Sequence, residues 1–161
     1  MSHRDFNFAC GASAVPSWAG AHAVGSGAAI EWPPIALLDV NILASDSSRG
    51  QPAVVVFRET FCPFCKQHNA HLNKLFRATR GQRLRILSVP PDADERVVRS
   101  YMKASDYVFA VDMDGSQLRQ RLTSRRVVPM TCQLDRRGRL VQVLPGKTFE
   151  EDVMEFARLA A

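Results

Sequence analysis

The sequence predicts an α/β protein with a mixed central sheet. Short runs of β-branched and apolar residues alternate with segments of helical periodicity along the chain, a pattern typical of helices packed on the faces of a sheet. The last predicted elements are two strands joined by a turn and followed by a helix, which adds antiparallel pairing to the sheet. Since 46% of the 161 residues are hydrophobic, the chain can bury the core of one compact domain.

The predicted elements follow one another with short connections and without an internal repeat. Residues 35–43 alternate loosely and are expected to form an edge strand or a covering segment. Further strands are predicted at 53–57, 84–89, 107–111, 130–134 and 140–144. Helices are predicted from 63 to about 79, from a capping box at 92–95, after a turn at 112–115, and from a cap at 148–151.

Two cysteines, Cys62 and Cys65, lie where the strand 53–57 passes into the helix that begins at Pro63. A thiol at or next to a helix N-cap faces unpaired backbone N–H groups and the positive end of the helix dipole, which favour the thiolate. Its pKa can then lie well below the free value of ~8.5. Because Cys65 follows one turn later, it can close a disulfide with Cys62 or resolve a mixed one. The pattern predicts thiol–disulfide exchange, with Cys62 as nucleophile and Cys65 as resolving thiol.

Composition and charge exclude several other classes of protein. Four cysteines are too few for a scaffold held together by disulfides. The formal net charge is +5, but the basic residues are scattered and no aromatic residues are interleaved with them, so a solvated basic surface is favoured over nucleic-acid binding. No apolar run is long enough for an ordinary transmembrane helix. We therefore expect no nucleic-acid partner, no stable membrane span in the mature chain and no cofactor.

Residues 1–23 are predicted to be an export signal. Arg4 is followed by a weakly apolar, alanine-rich stretch, and Ala21-His22-Ala23 fits the small-x-small pattern at which signal peptidase cuts. The start of the chain also resembles a twin-arginine export motif in which His3 replaces one arginine. The alternative is a disordered N-terminal extension.

The export prediction divides the chain and gives its compartment. Residues 24–34 are predicted to be a linker and 35–161 the folded domain. Cleavage after Ala23 would leave Cys62, Cys65 and Cys132 in a mature protein of the bacterial periplasm, whereas without export the protein would be cytoplasmic. An oxidising periplasm would favour a role in a relay of dithiols.

The chain resembles the thioredoxin superfamily and, within it, the TlpA/ResA-like thiol–disulfide oxidoreductases, which are related to the AhpC/TSA proteins. The matching segments are 54–57, 60–65, 127–131 and 134–139, and the stretch 92–111 fits the insertion that separates this group from plain thioredoxin. The resemblance extends from Trp32 to the C-terminus. It implies a thioredoxin-like three-layer α/β/α sandwich with a mixed central sheet.

The resemblance also implies a substrate site. Pro129 would be cis and would lie against the dithiol as a third catalytic residue, in place of an ordinary trans loop proline. Val128, Phe64 and Pro63 would contact a substrate peptide that pairs with the chain as an added strand. The implied partners are a protein thiol or disulfide and an upstream dithiol that donates or accepts electrons.

Three positions depart from the family pattern and bear on the dithiol. Val56 replaces a buried acid or Asn and cannot relay a proton. Arg58 replaces a tryptophan; its charge would favour the thiolate of Cys62, or it is a solvated loop arginine. His68 replaces an acid one helical turn after Cys65, and is either a proton acceptor for that thiol or an exposed helix histidine.

Two further features are the dipeptide between the cysteines, which leaves the direction of electron flow open, and a third cysteine outside the site. The dipeptide Pro63-Phe64 differs from the Gly-Pro of thioredoxin, and related folds have reduction potentials from ~−270 to ~−120 mV. The sequence therefore does not separate a reductase from an oxidase. Cys132, on the strand after Pro129, is predicted to be a core thiol, because buried cysteine behaves as a small hydrophobe.

Two alternatives keep the fold and change the function. The first is copper or zinc binding by Cys62, Cys65 and His68, with His71 as a fourth candidate ligand, although His71 lies about 300° round the helix from His68. The second is a non-catalytic thioredoxin-fold binding protein, which would leave the dithiol without a use. Peroxidase chemistry is disfavoured because Glu59 stands where a Thr or Ser is needed.

Overall fold

The computed structural model describes residues 28–39, 42–43 and 49–161. In these ranges the strands are β1 Ile35–Ala36, β2 Ile42–Leu43, β3 Ala53–Phe57, β4 Arg85–Val89, β5 Ala110–Val111, β6 Met130–Leu134 and β7 Leu140–Pro145. The last five form one sheet in the order β5–β4–β3–β6–β7. In it β3, β4 and β5 are parallel, and β6 is antiparallel to both of its neighbours. The predicted mixed sheet is confirmed.

Helices cover both faces of this sheet. The described ones are α1 Pro63–Ala78, α2 Glu95–Ala104, α3 Ser116–Leu122 and α4 Glu150–Glu155, the last followed by a 3₁₀ helix at Phe156–Ala160. Leu72 of α1, Val98 of α2 and Val153 of α4 pack into the core on one face, which we call the α1 core. Leu118 of α3 packs into the core on the other face, the α3 core. The three-layer α/β/α sandwich is therefore confirmed.

Strand β3 lies at the centre of the sheet because both of its faces are buried. Ala53, Val55 and Phe57 point into the α3 core, whereas Val54 and Val56 point into the α1 core. All of these side chains are fully buried, and burying a Val side chain stabilises a fold by roughly 1.5–3 kcal/mol. The strand thereby fixes the place at which the chain leaves the sheet towards the dithiol.

The segment 35–43 was predicted to be an edge strand or a covering segment, and it is a covering segment. Strands β1 and β2 pair with each other rather than with the large sheet. The N–H of Leu38 donates to the Val111 carbonyl at 3.1 Å, and Ile35 is fully buried in the α3 core. The segment therefore covers the sheet beside β5.

Helix α2 begins two residues later than the capping box predicts. Its N-cap is Asp94, whose carboxylate accepts a hydrogen bond from the N–H of Arg96. Asp92, the predicted cap, accepts a hydrogen bond from the Thr60 hydroxyl instead. The sequence offered two aspartates in suitable positions, and a long-range partner decides between them.

Strand β5 is shorter than predicted. It is limited to Ala110–Val111, because the chain is still completing the end of α2 at positions 106 and 107. Asp106 has a positive φ of 52°, and the N–H of Tyr107 donates to the Met102 carbonyl at 3.0 Å. The apolar run 107–111 therefore enters the strand only at its end.

The predicted export signal, residues 1–23, lies outside the described residues. The described part of the predicted linker, 28–34, has no helix or strand. Trp32 is nevertheless buried in the α3 core, and the N–H of Ile30 donates to the Gly138 carbonyl at 2.9 Å, so the packed part of the chain includes these residues. Over the same described ranges, we find no helix with the length and apolar character needed to cross a bilayer.

Candidate active site

Cys62 is the N-cap residue of α1, as the sequence predicts. Its backbone is extended, with φ −81° and ψ 119°, and Pro63 occupies the first helical turn. The Cys62 Sγ accepts a hydrogen bond from the N–H of Cys65 at 3.4 Å. No acidic side chain lies in the first turn of α1. A half-exposed sulfur is therefore held against the positive end of a 16-residue helix, the setting that stabilises negative charge on it.

Cys65 lies one turn further along and differs from Cys62 in its exposure. It is fully buried, and its Sγ accepts a hydrogen bond from the N–H of Glu59 at 3.5 Å. Burial raises the pKa of Cys65 to about 12; the hydrogen bond from the Glu59 N–H acts in the opposite direction, and the interactions with Cys62 and with the charge of Glu59 add to the rise. Both cysteines are free thiols. The Cys62 sulfur can be reached from solvent, whereas the Cys65 sulfur is buried. This asymmetry is expected of a nucleophile and a resolving thiol.

Pro129 lies at the edge of the sheet where β3 ends and the dithiol begins. Strand β6 starts at the next residue, Met130, which pairs with Phe57 at the end of the antiparallel β3. The Val128–Pro129 peptide bond is cis, in agreement with the geometry implied by the family resemblance. The Pro129 carbonyl accepts a hydrogen bond from the N–H of Gly146 at 2.8 Å, so the loop after β7 meets it there.

Large apolar side chains are exposed beside these residues. Phe61 is 86% exposed, Phe64 62% and Val127 51%. Phe61 also lines a groove of about 590 Å³ whose other side is formed by Val97 and Tyr101. Because such side chains are normally buried, their exposure beside the cysteines and the proline in the sequence makes them candidates for contact with other molecules.

Arg58 is not the solvated loop arginine that was one of its two predicted roles. It is fully buried: its Nε donates to Ser88 Oγ at 2.7 Å, its Nη1 donates to Thr60 Oγ1 at 3.2 Å, and the guanidinium lies 4.7 Å from the centre of the Tyr101 ring. Burial lowers its pKa, whereas negative charge at neighbouring groups, Cys65 among them, opposes that shift. The groups that oppose the shift most strongly are, in decreasing order, Tyr101, Asp92 and Cys65.

His68 takes neither of its predicted roles. It is fully buried rather than exposed, and its ring has partners other than Cys65. Nδ1 accepts a hydrogen bond from the N–H of Thr148 at 3.3 Å, so the ring proton lies on Nε2, which donates to Thr131 Oγ1 at 2.9 Å. Burial, with a smaller effect from the charge of His71, lowers the pKa of His68 to about 4. The ring is neutral and has no nitrogen left to accept a proton from Cys65.

Comparison with known proteins assigns the chain to a family. The model of the AhpC/TSA family matches residues 33–142. The chain belongs to the AhpC/TSA family. Its relatives include the thiol-disulfide oxidoreductase ResA of Halalkalibacterium halodurans, which is 26% identical over 110 residues, 68% of this chain and 62% of that protein. The chain spans less than two thirds of the length of the ResA proteins it matches.

Solved structures similar to this one share its fold. A thioredoxin family thiol:disulfide interchange protein from Chlorobium tepidum has a TM-score of 0.69 at 19% identity, over 83% of this chain and 99% of that chain. A secreted Mycobacterium tuberculosis disulfide oxidoreductase homologous to DsbE of E. coli has a TM-score of 0.66 at 16% identity, over 78% and 94%. The thioredoxin fold and the resemblance to ResA are therefore confirmed.

The two histidines of the metal-binding alternative, His68 and His71, have other contacts in the structure. Both ring nitrogens of His68 already have partners, and His71 lies with Nδ1 3.2 Å from the Thr148 carbonyl oxygen and Nε2 3.9 Å from Glu150 Oε2. In the part of the chain that the structure describes, no three Cys, His, Asp or Glu side chains are grouped to hold a metal ion.

Cys132 lies in the α3 core, on the other face of the sheet from α1. It is fully buried and pairs with Val55 across strands β6 and β3. Burial raises its pKa to about 12. The prediction of a core thiol agrees with this position.

Sequence reasoning missed the polar residues that lie behind the dithiol. Asn69 is fully buried one turn after Cys65 and donates from Nδ2 to the Tyr101 hydroxyl at 3.1 Å, while its Oδ1 has no partner among the described residues. Ser88 is a hydroxyl within the apolar strand β4. Each is a polar residue at a position of its helix or strand where the pattern calls for an apolar one. Such a residue indicates a buried hydrogen-bond partner.

Proposed function

We propose that this protein is a thiol–disulfide oxidoreductase that exchanges its Cys62–Cys65 dithiol with disulfides and thiols of protein substrates. The observation that supports the proposal most directly is the asymmetry of the two sulfurs. Cys62 is half-exposed at the start of α1, whereas Cys65 is buried one turn later and hydrogen-bonds it through the backbone. Relatives named thiol-disulfide oxidoreductases are consistent with this chemistry.

The exchange proceeds in two steps, written here in the reducing direction. The Cys62 thiolate attacks one sulfur of a substrate disulfide, and the other substrate sulfur leaves with the electron pair and takes up a proton. Cys65 then loses its proton, its sulfur bonds to that of Cys62, and the bond between Cys62 and the substrate breaks. The substrate gains two electrons and the dithiol becomes a disulfide. The reverse sequence oxidises a substrate dithiol.

Substrate recognition is proposed to use the edge of the sheet around Pro129. A peptide would add as a strand along Val128, with Pro63 and the exposed Phe64 contacting its side chains. The exposure of Phe64 and Val127 supports this, since both apolar side chains lie beside the cysteines and the proline in the sequence and remain uncovered. The catalytic set is thus Cys62, Cys65 and Pro129.

The proposed partners and compartment follow the same chemistry. A second dithiol protein would return the Cys62–Cys65 pair to its starting redox state after each turnover. We propose that the protein acts in the bacterial periplasm after export by residues 1–23. The M. tuberculosis protein with the same fold is described as secreted.

The reduction of insulin disulfides tests the proposal. Cys62→Ser is expected to abolish the reaction with dithiothreitol as electron source, because the attacking sulfur is removed. Cys132→Ala, which removes a thiol from the opposite core, is the matched control and is expected to remain active. Full activity of Cys62→Ser would end the proposal, and stoichiometric zinc or copper on the reduced protein would favour the metal-binding alternative instead.

A further inference from the structure

A buried positive charge without a direct carboxylate partner lies behind the dithiol. Arg58 is fully buried, and its guanidinium contacts two hydroxyl groups and the face of an aromatic ring. In the described ranges no carboxylate forms an ion pair with it, and Asp92 is reached only through the hydroxyl of Thr60. Asp92 stabilises the guanidinium through this bridge, and since no described carboxylate contacts Arg58 directly, its charge can also interact with a second negative group.

The geometry connects this charge with Cys65. Glu59, the next residue after Arg58, donates its backbone N–H to Cys65 Sγ. The ring of Tyr101 lies against the guanidinium, and its hydroxyl accepts a hydrogen bond from Asn69, one turn beyond Cys65 on α1. Negative charge on Tyr101, on Asp92 and, after them, on Cys65 stabilises the charged form of Arg58. Arg58 and Cys65 are therefore within electrostatic reach of each other.

The resolving step needs such a charge. Cys65 must lose its proton before it attacks, yet burial raises its pKa to about 12, so its thiolate is rare at neutral pH. Val56, which faces the α1 core, cannot accept the proton, and the nitrogens of His68 are occupied. No described base is hydrogen-bonded to Cys65, and the hydrogen bond from the Glu59 N–H favours the thiolate but leaves the pKa high. A nearby cation would stabilise the thiolate further.

We propose that Arg58 supplies the positive charge against which the Cys65 thiolate forms in the resolving step, an inference that rests on the proposed exchange function. Cys65 loses its proton to water and its sulfur bonds to that of Cys62. The bond between Cys62 and the substrate sulfur breaks, and that sulfur leaves with the electron pair and takes a proton from water. Arg58 stays protonated throughout and acts as a positioning residue for charge rather than as an acid or base.

The competing interpretation is that Arg58 only anchors α2 to the end of the sheet. Its contacts with Tyr101 and with Met102, whose Sδ lies 3.9 Å from Nη2, would serve that purpose. The two interpretations predict different effects of replacing Arg58 by lysine or by methionine. Lys keeps the charge but not the planar fork of hydrogen bonds, whereas Met keeps length and apolar packing but not the charge.

Two-phase kinetics with Ellman's reagent separate the steps. In a Cys10→Ser, Cys132→Ala background only the dithiol remains. Attack by Cys62 releases one thionitrobenzoate at a rate that depends on reagent concentration, and attack by Cys65 releases the second at a rate that does not. The second phase is compared among the parent, Arg58→Lys and Arg58→Met over a range of pH. Met102→Leu is the packing control.

Arg58→Met is expected to slow the second phase about three- to tenfold, while Arg58→Lys stays near the parent rate. Loss of a neighbouring charge raises a thiol pKa by about one to two units and lowers the thiolate fraction accordingly. Part of that loss is offset because a more basic thiolate is more nucleophilic, with a Brønsted slope of about 0.4–0.5. The rise of the second phase with pH is expected to move to higher pH in Arg58→Met alone.

The other titratable groups around the pair are unchanged in all variants. Cys62 and Glu59 face the Cys65 sulfur, and Asp92, Tyr101 and Tyr107 face the guanidinium. Differences among the variants therefore report the charge at position 58.

The outcomes also separate this inference from the function on which it rests. Equal slowing in Arg58→Lys and Arg58→Met, or an unchanged second phase in Arg58→Met, would overturn the role of the charge. Comparable slowing in Met102→Leu would point to packing and overturn it as well. Release of only one thionitrobenzoate by the parent protein would instead show that Cys65 does not resolve, and the exchange function itself would fail.

Discussion

The Nε2 of His68 lies 2.9 Å from the Oγ1 of Thr131, across the α1 core from a helix to a strand. Thr131 is the second residue after Pro129, and His68 is two turns after Cys62 on α1. The other ring nitrogen of His68 accepts a hydrogen bond from the backbone at Thr148. One neutral imidazole thus connects the helix of the dithiol, the strand of the cis proline and the start of the last helix.

This histidine is expected to make stability depend on pH. The pKa of His68 is lowered to about 4 in the folded protein from an ordinary value of 6.5. The unfolded chain therefore binds more protons between these values, and stability falls as pH decreases from 6.5 to 4. The loss attributable to this one group is about 3 kcal/mol, as measured by urea unfolding at each pH. His68→Gln, which cannot titrate, should remove that part of the slope.

His71→Gln provides the matched comparison, because His71 is on the same helix but only half-buried. It removes only the smaller cause of the lowered His68 pKa, so the pH dependence of unfolding should keep most of its slope. An identical slope in wild type and His68→Gln would contradict the neutral, buried state of His68.

The three described thiols are expected to differ in their reaction with iodoacetamide. Cys65 and Cys132 are buried and each has a pKa raised to about 12, so their thiolate fraction near neutral pH is about a thousandfold below that of an ordinary cysteine. Peptide mapping of the reduced native protein should find label at Cys62 well before either of them. In denaturant the three should react at similar rates, and early labelling of Cys65 in the native protein would contradict the asymmetry of the site.

Removal of the resolving sulfur is expected to trap the substrate. With Cys65→Ser, the mixed disulfide between Cys62 and its partner has no internal thiol to break it. Mass analysis of complexes that disappear on reduction would identify the partner. The double variant Cys62→Ser, Cys65→Ser is the control, and the same complexes in that variant would show that another cysteine holds them.

Phe64 is expected to contribute to substrate affinity rather than to stability. It is 62% exposed, and surface substitutions of this kind usually change stability by less than about 0.5 kcal/mol. Phe64→Ser should raise KM for a protein disulfide about five- to tenfold, if the ring contacts substrate as an interface anchor. The rate with Ellman's reagent should change little, since that small molecule needs no extended contact.

Val108→Ser is the matched control for Phe64. Val108 is 48% exposed, and its N–H is bound by the side chain of Asn73, two turns beyond Cys65 on α1. Its substitution should leave KM unchanged. An equal rise in KM for both variants would show a general loss of surface apolarity instead of a specific contact.

Gly115, the N-cap of α3, is expected to tolerate no larger residue. A Cβ at this position would lie 1.8 Å from Val89 Cγ1, so Gly115→Ala should lower the free energy of unfolding by about 1–3 kcal/mol. Val89→Ala removes the clashing methyl group. The double variant should therefore be more stable than the sum of the two single effects predicts, and simple additivity would show that the close approach is not the cause.

The sequence was sufficient for the elements whose signal is local. The apolar run of β3 and the position of Cys62 at the start of α1 both depend on neighbouring residues, through strand periodicity and helix-capping rules. The proline loop could be found because its distance from the dithiol is a family feature. Each of these needed no knowledge of what lies across the core.

The positions of the buried polar residues could not be predicted without knowing which residues lie across the core from them. Arg58 bonds Ser88, 30 residues away, and His68 bonds Thr131, 63 residues away. Charged and imidazole side chains are usually exposed, and only a distant partner tells when they are not. Local reasoning therefore placed His68 either on the surface or beside Cys65. It placed Arg58 either beside Cys62 or in solvent, whereas the fold buries this side chain against Ser88 and Tyr101.

The position of Cys132 has a consequence for the fidelity of the redox couple. Its sulfur lies in the α3 core, while Cys65 belongs to a helix on the opposite face. The paired strands β3 and β6 lie between the two sulfurs. A disulfide between Cys65 and Cys132 would therefore require the sheet to open. In the proposed exchange, the third thiol is therefore kept from competing with Cys62 for Cys65.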